Sequence, residues 1–295
     1  MAGLVVPSSA LTASRLSLPS TSLPAAEKWF RKENSSGQSP FSDYLGTFED
    51  ILVPYEFTSH PTRTTQWSIF LQELRRQATW HASELEDIVA SSSTRSVEAS
   101  AQFHQFQAPL GLLLEASQFN VGHPEEGPLT HIYIAQSDIR DLPSSLSDDL
   151  QSPDIVKTSP KGDIYSSSVW LGLQPTYTPL HCDPNPNIFC QLHGHKTVRF
   201  LPPKAALGVF NQIQKKLGMR TSARLRGTEM MQGPERDLLH RAAWLPSPED
   251  AHYPHISQAA VGPGDALFIP KGWWHTIASQ GRDGELNASA NWWCR

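Results

Sequence analysis

The sequence predicts a mostly β fold with flanking helices: an antiparallel sandwich or barrel in the later part of the chain, with helices ahead of it. Three observations lead there. Short apolar runs of strand length, broken by glycine and proline turns, recur from residue 131 to the end of the chain. Helical spacing of apolar residues is strongest earlier, over residues 66–90. The composition, 39% hydrophobic and 18% charged over 295 residues, suits one large globular domain or a core with a smaller helical part.

Residues 1–25 are Ser-rich and acid-free, and are expected to form a mobile leader. They lack the basic start and long apolar centre of a secretory signal. Arg15 is the one basic residue before Lys28, a weak match to a mitochondrial presequence. Residues 26–124 are expected to be a helical region with early strands. "FEDILVPYEF" (48–57) has strand character, and residues 66–90 read as one or two helices with Trp67, Phe70, Leu71 and Leu74 on one face. "SSSTRS" (91–96) is a break.

Residues 125–295 form the expected core. "HIYIAQSDI" (131–139) holds a strand and a turn, residues 142–155 are loop with short helical turns, and "SSVWLGLQP" (167–175) is a further strand. "NIFCQLHGHKTVRFLPP" (187–203) reads as strand, Gly turn, strand, stopped by two prolines. A helix over 204–218 ends at Gly218. Residues 219–252 look like a long loop insertion. "AAVGPGDALFIPKGWWHTIA" (259–278) brings a short strand between two turns, and "ELNASANWWCR" ends the chain in a strand.

The net charge of -5 argues against a broad nucleic-acid footprint. Three cysteines without tight spacing, Cys182, Cys190 and Cys294, do not make a disulfide framework, and a reducing compartment, cytoplasmic or nuclear, fits them best. No apolar run is long enough to span a membrane.

"TPLHCDP" (178–184) carries the chemistry. On a strand His181 and Asp183 would share a side, and Cys182 would face away. Two histidines and a carboxylate with open positions form the facial triad of non-haem Fe(II) oxygenases. His275, after the strand "DALFIP" and a tight turn, is the strongest candidate for the second histidine. Taken alone, His-x-Asp is as readily a hydrogen-bonded pair in a surface loop. A rival metal site is "HGH", His193 and His195, but Arg199 stands where such a site wants a glutamate, and Gly194 suggests a hairpin turn. Lys196 by itself could be a solvated strand lysine, and Tyr133 a core tyrosine.

Together, Thr178-Pro-Leu-His181-Cys-Asp183-Pro, Asn187, Gly194-His-Lys196 and "GDALFIPKGWWHTI" with His275 resemble the JmjC-domain 2-oxoglutarate oxygenases. The likeness is greatest to the small jumonji-only proteins of the hydroxylase type, in the cupin superfamily. "IYIAQSDIRDLP", "VWLGLQPTYTPLH" and "NWW" (291–293) are similar to the flanking strands of those proteins. The likeness covers residues 125–295 and is loose before that. It implies a double-stranded β-helix, or jelly roll, in which His181, Asp183 and His275 bind Fe(II). Lys196 would meet the distal carboxylate of the cosubstrate 2-oxoglutarate, Thr178, Asn187 and Tyr133 would hydrogen-bond it, and Asn291 would assist near the metal. One of Trp273 and Trp274, with Trp170, would wall the pocket.

The implied reaction consumes O2 and 2-oxoglutarate, releases succinate and CO2, and hydroxylates a substrate C–H bond. A protein or peptide side chain is the favoured substrate. N-methyl-lysine demethylation and tRNA modification are alternatives within the family, and His252 and His255 lack the paired cysteines of a zinc module. Arg220, Arg224 and Arg226 would border the entrance, facing an acidic peptide, a phosphate backbone or only solvent. A monomer is expected. Two other classes stand beside this reading: a metal-dependent cupin enzyme without a keto acid, and a catalytically silent jumonji-like binding module.

Overall fold

Alternate residues of a strand face opposite sides, and here two sheets use that alternation to enclose a common interior. The computed structural model describes residues 4–6, 14–16, 23–32, 37–77, 83–96, 100–157, 163–219, 230–245 and 256–295. Its strands are β1 (Leu4–Val6), β2 (Ser14–Leu16), β3 (Leu52–Ser59), β4 (Gln102–Pro109), β5 (Ile132–Asp138), β6 (Ile164–Leu173) and β7 (Tyr177–Cys182). They continue with β8 (Asn187–His193), β9 (His195–Leu201), β10 (Ser257–Val261), β11 (Ala266–Ile269), β12 (Trp274–Gln280) and β13 (Leu286–Cys294). The helices are α1 (Pro24–Lys28), α2 (Asp43–Gly46), α3 (Thr64–Gln77), α4 (Ser83–Ser93) and α5 (Gly111–Gly122), then α6 (Ser144–Asp148), α7 (Asp154–Lys157), α8 (Pro203–Leu217) and α9 (Pro234–Trp244).

From β6 onward the strands shuttle between the sheets. The larger sheet contains the run β11-β8-β13-β6, and the smaller sheet is β10-β9-β12-β7. Two antiparallel four-stranded runs woven in this order are the double-stranded β-helix that the motifs imply. The large sheet is prolonged past β6 by β5, β3 and β4, and past β11 by β1 and β2. The stretch expected as a leader therefore contributes two short strands, β1 lying parallel to β11, and Leu23 and Ala25 at its end are buried.

Inside the sandwich, Phe189, Leu267 and Ile269 of the large sheet meet Val198, Phe200, Val261 and Ile277 of the small one. The other face of the large sheet, through Val169, Leu171, Ile188 and Trp292, packs on Trp29, Phe70, Leu85 and Leu113 of the helical region. The other face of the small sheet, through Leu180, Leu201 and Trp274, takes Val209 and Phe210 of α8 and Leu239 of α9. Residues 66–90 fall into two helices, α3 and α4, and Trp67, Phe70, Leu71 and Leu74 are buried as their spacing predicts. Among the described residues, no helix is long and apolar enough to cross a membrane.

β4 and α5 are among the elements that were not predicted. β4 is polar along half its length, so its alternation is faint. α5 buries Leu112, Leu113, Ala116 and Phe119 around much of its girth, which erases the amphipathic period. The insertion 219–252 is not all loop: α9 lies within it, with Pro234 at its first turn. Arg220, Arg224, Arg226, His252 and His255 lie outside the described residues.

Two glycines shape the neighbourhood of the site. Gly194 turns β8 into β9 with φ of +68°. Gly172 on β6 lies opposite Tyr133 on β5, where an added Cβ would come 2.3 Å from the tyrosine ring and 2.8 Å from the Ile132 carbonyl oxygen. Gly172→Ala must push that ring out of place. It should lower the unfolding free energy by about 1–3 kcal/mol, read from urea denaturation. An unchanged midpoint would mean that Tyr133 moves aside freely.

Candidate metal centre and its cavity

Strand pairing assembles the ligand set. His275 on β12 lies directly across from His181 on β7, and the two rings stand 4.3 Å apart. Asp183 follows at the end of β7. Its Oδ1 is 3.4 Å from His181 Nε2, and its Oδ2 is 3.6 Å from His275 Nε2. One ligand atom from each of the three residues falls within 4.8 Å of the others, and among the described residues this is the one such group of His, Cys, Asp or Glu.

Both imidazoles are oriented from behind. His181 Nδ1 lies 2.8 Å from the Pro179 carbonyl oxygen and His275 Nδ1 lies 3.3 Å from that of Trp273. A carbonyl only accepts, so each Nδ1 carries the hydrogen and each Nε2 presents a lone pair to the others. The charge of His275 fits this arrangement, whereas Asp183 favours a proton on His181 that a metal would displace. Burial, with His181 alongside, drives His275 down to about 4, so it is a neutral donor at neutral pH. Burial works against a charged His181, but the hydrogen bond and charge of Asp183 outweigh it, and its pKa rises. Burial would raise Asp183, yet the two histidines and the Trp293 indole hold it well below the usual carboxylate range. A carboxylate and two converging imidazole lone pairs are the donor set that a divalent iron takes.

The triad opens into a cavity of about 410 Å³, lined also by Thr178, Asn187, Tyr133, Lys196 and Asn291. All eight residues singled out from the sequence therefore meet in one place. Lys196 occupies an inward position in series with Val198 and Phe200 on β9, where the alternation otherwise puts apolar side chains. It is 2% exposed. Its ammonium donates to Ser289 Oγ at 2.8 Å and Tyr133 Oη at 3.3 Å, and sits over the Tyr133 and Phe189 rings. Among the described residues no carboxylate pairs with it, so the buried ammonium has no counter-charge from these residues.

Of the other sequence candidates among the described residues, Trp170 and Cys182 also border the cavity and the rest lie elsewhere. His193 packs against Phe30 in a tilted pair with ring centres 4.8 Å apart, and neither it nor His195 lines this cavity. Cys182 packs towards the α8 side and does not join the ligand group. Trp273 packs against the interior of the sandwich and Trp274 against Phe210, so neither walls the cavity; Trp170 and Trp293 do. Thr178 also fixes the backbone, its carbonyl accepting from the Thr276 hydroxyl at 2.7 Å.

Sequence reasoning missed Ser289, Trp293, Glu56 and Gln105. Ser289 and Trp293 share a face of β13 with Asn291, so period-two counting from that asparagine would have found them. Glu56 had no such signal. It alternates with buried Val53, Tyr55 and Phe57 and reads as a solvent-facing residue, but the open face of β3 borders the cavity.

The burial of Lys196 pushes its pKa down to about 7. An unfolded lysine titrates near ~10.4, so between the two values the unfolded chain keeps a proton that the folded chain has lost, and stability rises with pH. In the cofactor-free protein, the unfolding free energy of the parent minus that of Lys196→Met should climb from about pH 7 to about pH 10. A flat difference in urea melts would mean that an anion already neutralises the ammonium.

Comparison with known proteins agrees with this geometry. The profile of the family described as "Cupin-like domain" matches residues 23–295. "Lysine-specific demethylase 8" of Xenopus tropicalis is 27% identical over 169 residues, 55% of this chain and 32% of that protein. "Lysine-specific demethylase JMJ30" of Arabidopsis thaliana is 24% identical over 205 residues, 68% of this chain and 43% of that protein. "Jumonji C domain-containing protein 5" of Drosophila melanogaster is 25% identical over 155 residues, 50% of this chain and 34% of that protein. The matched part thus spans well under half the length of each of these relatives.

Proposed function

The chain belongs to the cupin-like domain family, and from that premise we propose that it is an Fe(II)- and 2-oxoglutarate-dependent oxygenase that hydroxylates a protein side chain. The observation that carries this reading is the buried, carboxylate-free ammonium of Lys196 in the same cavity as His181, Asp183 and His275. A dicarboxylate cosubstrate answers both needs, with one end for the metal and the other for the lysine.

Bound iron would supply the O2-dependent oxidation, with 2-oxoglutarate giving up electrons as it becomes succinate and CO2 and the substrate C–H becoming C–OH. The residues supply the rest. His181, Asp183 and His275 would hold the ion. Lys196 would pair with the distal carboxylate, helped by the hydroxyls of Tyr133 and Ser289 that already surround its ammonium. Thr178 lines the same wall. Trp170, Phe189 and Trp293 add aromatic surface to the cavity wall, which limits water.

Glu56 favours a basic side chain as the group that enters. It stands beside Tyr133 and Gln105 in a cross-strand row on the cavity wall, and among the described residues no cation pairs with it. Burial raises its pKa to about 7 against the pull of the Gln105 amide 3.3 Å away. A lysine or arginine brought by the substrate would keep that carboxylate ionised. The names of the Xenopus and Arabidopsis relatives point to N-methyl-lysine as the alternative substrate. There the same C–H oxidation would fall on a methyl carbon and release it as formaldehyde.

The first experiment is an anaerobic visible spectrum of the Fe(II)-loaded protein titrated with 2-oxoglutarate. A saturable charge-transfer band is expected. It should vanish in Asp183→Ala, and Lys196→Ala should need at least about tenfold more 2-oxoglutarate, from the loss of a charge-assisted bond. Bound iron with no band at any 2-oxoglutarate concentration would sink the reading. With peptides as substrates, Glu56→Gln should raise KM for lysine- or arginine-bearing ones by about tenfold or more. Equal KM in parent and variant would remove Glu56 from recognition.

A further inference from the structure

The carboxylate of Asp183 is held by more than its neighbours in the ligand set. Its Oδ2 accepts from Trp293 Nε1 at 2.9 Å and from Asn187 Nδ2 at 3.0 Å. Asn187 Oδ1 accepts from Asn291 Nδ2 at 3.3 Å, and Asn291 Oδ1 accepts from Trp170 Nε1 at 2.6 Å. The ends of this relay fix its direction. An indole N–H only donates and a carboxylate only accepts, so each amide between them has one workable orientation. Asn187 and Asn291 are both almost fully buried, and breaking the relay would strand their amides.

The relay crosses the large sheet. Trp170 lies on β6, Asn291 and Trp293 on β13, and Asn187 on β8 opposite Trp293. Asp183 lies at the end of a strand of the other sheet. One sheet thus sets the rotation of a side chain whose backbone follows from the other. Both N–H donors converge on Oδ2, leaving Oδ1 with no N–H donor of this relay.

We propose that Trp293 and the relay Trp170–Asn291–Asn187 are positioning residues for the metal: they pin Asp183 through Oδ2 and reserve Oδ1 for the ion. None of this depends on the 2-oxoglutarate reading, since any divalent metal at the triad would use it. Asn187 then acts on the carboxylate ligand, in addition to or in place of the cosubstrate contact expected of it, and Asn291 acts near the metal through Asn187.

The test is Mn(II) binding to the full chain without cosubstrate, read by the electron paramagnetic resonance signal of the free ion. Trp293→Phe and Asn187→Ala should each weaken binding by about 10-fold or more, the usual effect of losing an outer partner of a ligand. Trp170→Phe, which touches no ligand, should weaken it measurably but less. Trp292→Phe is the control. Its side chain points into the helix-side core, so it should lower the thermal midpoint and leave the Mn(II) affinity within about twofold of the parent. A parent chain that does not bind Mn(II), or parent-like affinity in both Trp293→Phe and Asn187→Ala, overturns the proposal. Parent-like affinity in Trp170→Phe alone overturns the relay. If one of the first two variants does not fold, the other decides.

Discussion

The mouth of the barrel depends on the register between β7 and β12. With His275 opposite His181, two imidazoles meet and their Nε2 atoms converge on Asp183. A slip of one residue would turn His275 to the helix side and bring Trp274 inward, because side chains alternate along a strand. Packing guards against that slip. Trp274 lies against Phe210 of α8, and β12 is also locked to β9 along its whole length. The helix on the outside of the small sheet therefore protects the alignment of groups on its inside.

The interior of the sandwich is uneven for a physical reason. Where Val198, Phe200, Leu267 and Ile269 meet, the sheets close on an apolar core. Beside them the inward positions of neighbouring strands carry Lys196, Ser289, Asn291 and Asn187, all buried, with Lys196 opposite Val261, Asn187 opposite Ile269 and Asn291 opposite Phe189. Most of these polar groups are satisfied by one another, and Lys196 is the exception that lacks its natural counter-charge. Buried polar groups without compensation destabilise a fold, so their clustering around the cavity marks the place where a ligand completes the protein.

Much of this was legible in the sequence. The short spacing of His181 and Asp183, the Gly194 hairpin that precedes Lys196, and the turn ahead of His275 are local signals, and local geometry decides them. Helix α9, the buried helix α5 and the faint strand β4 were harder, since tertiary contacts rather than periodicity define them. Glu56 shows the limit most clearly. Its pattern within β3 is that of an ordinary half-exposed strand, and only the extension of the large sheet past β6 tells which way its open face looks.

That extension places two tasks on two different sheets. The ligand set and Lys196 belong to strands of the barrel, whereas Glu56 and Gln105 belong to strands added at its side. Replacing Glu56 or Gln105 would change what the chamber admits while leaving the ligand set and Lys196 in place. Such an arrangement is evolvable: selectivity can drift at β3 and β4, one side chain at a time, without each step having to re-form the chemistry.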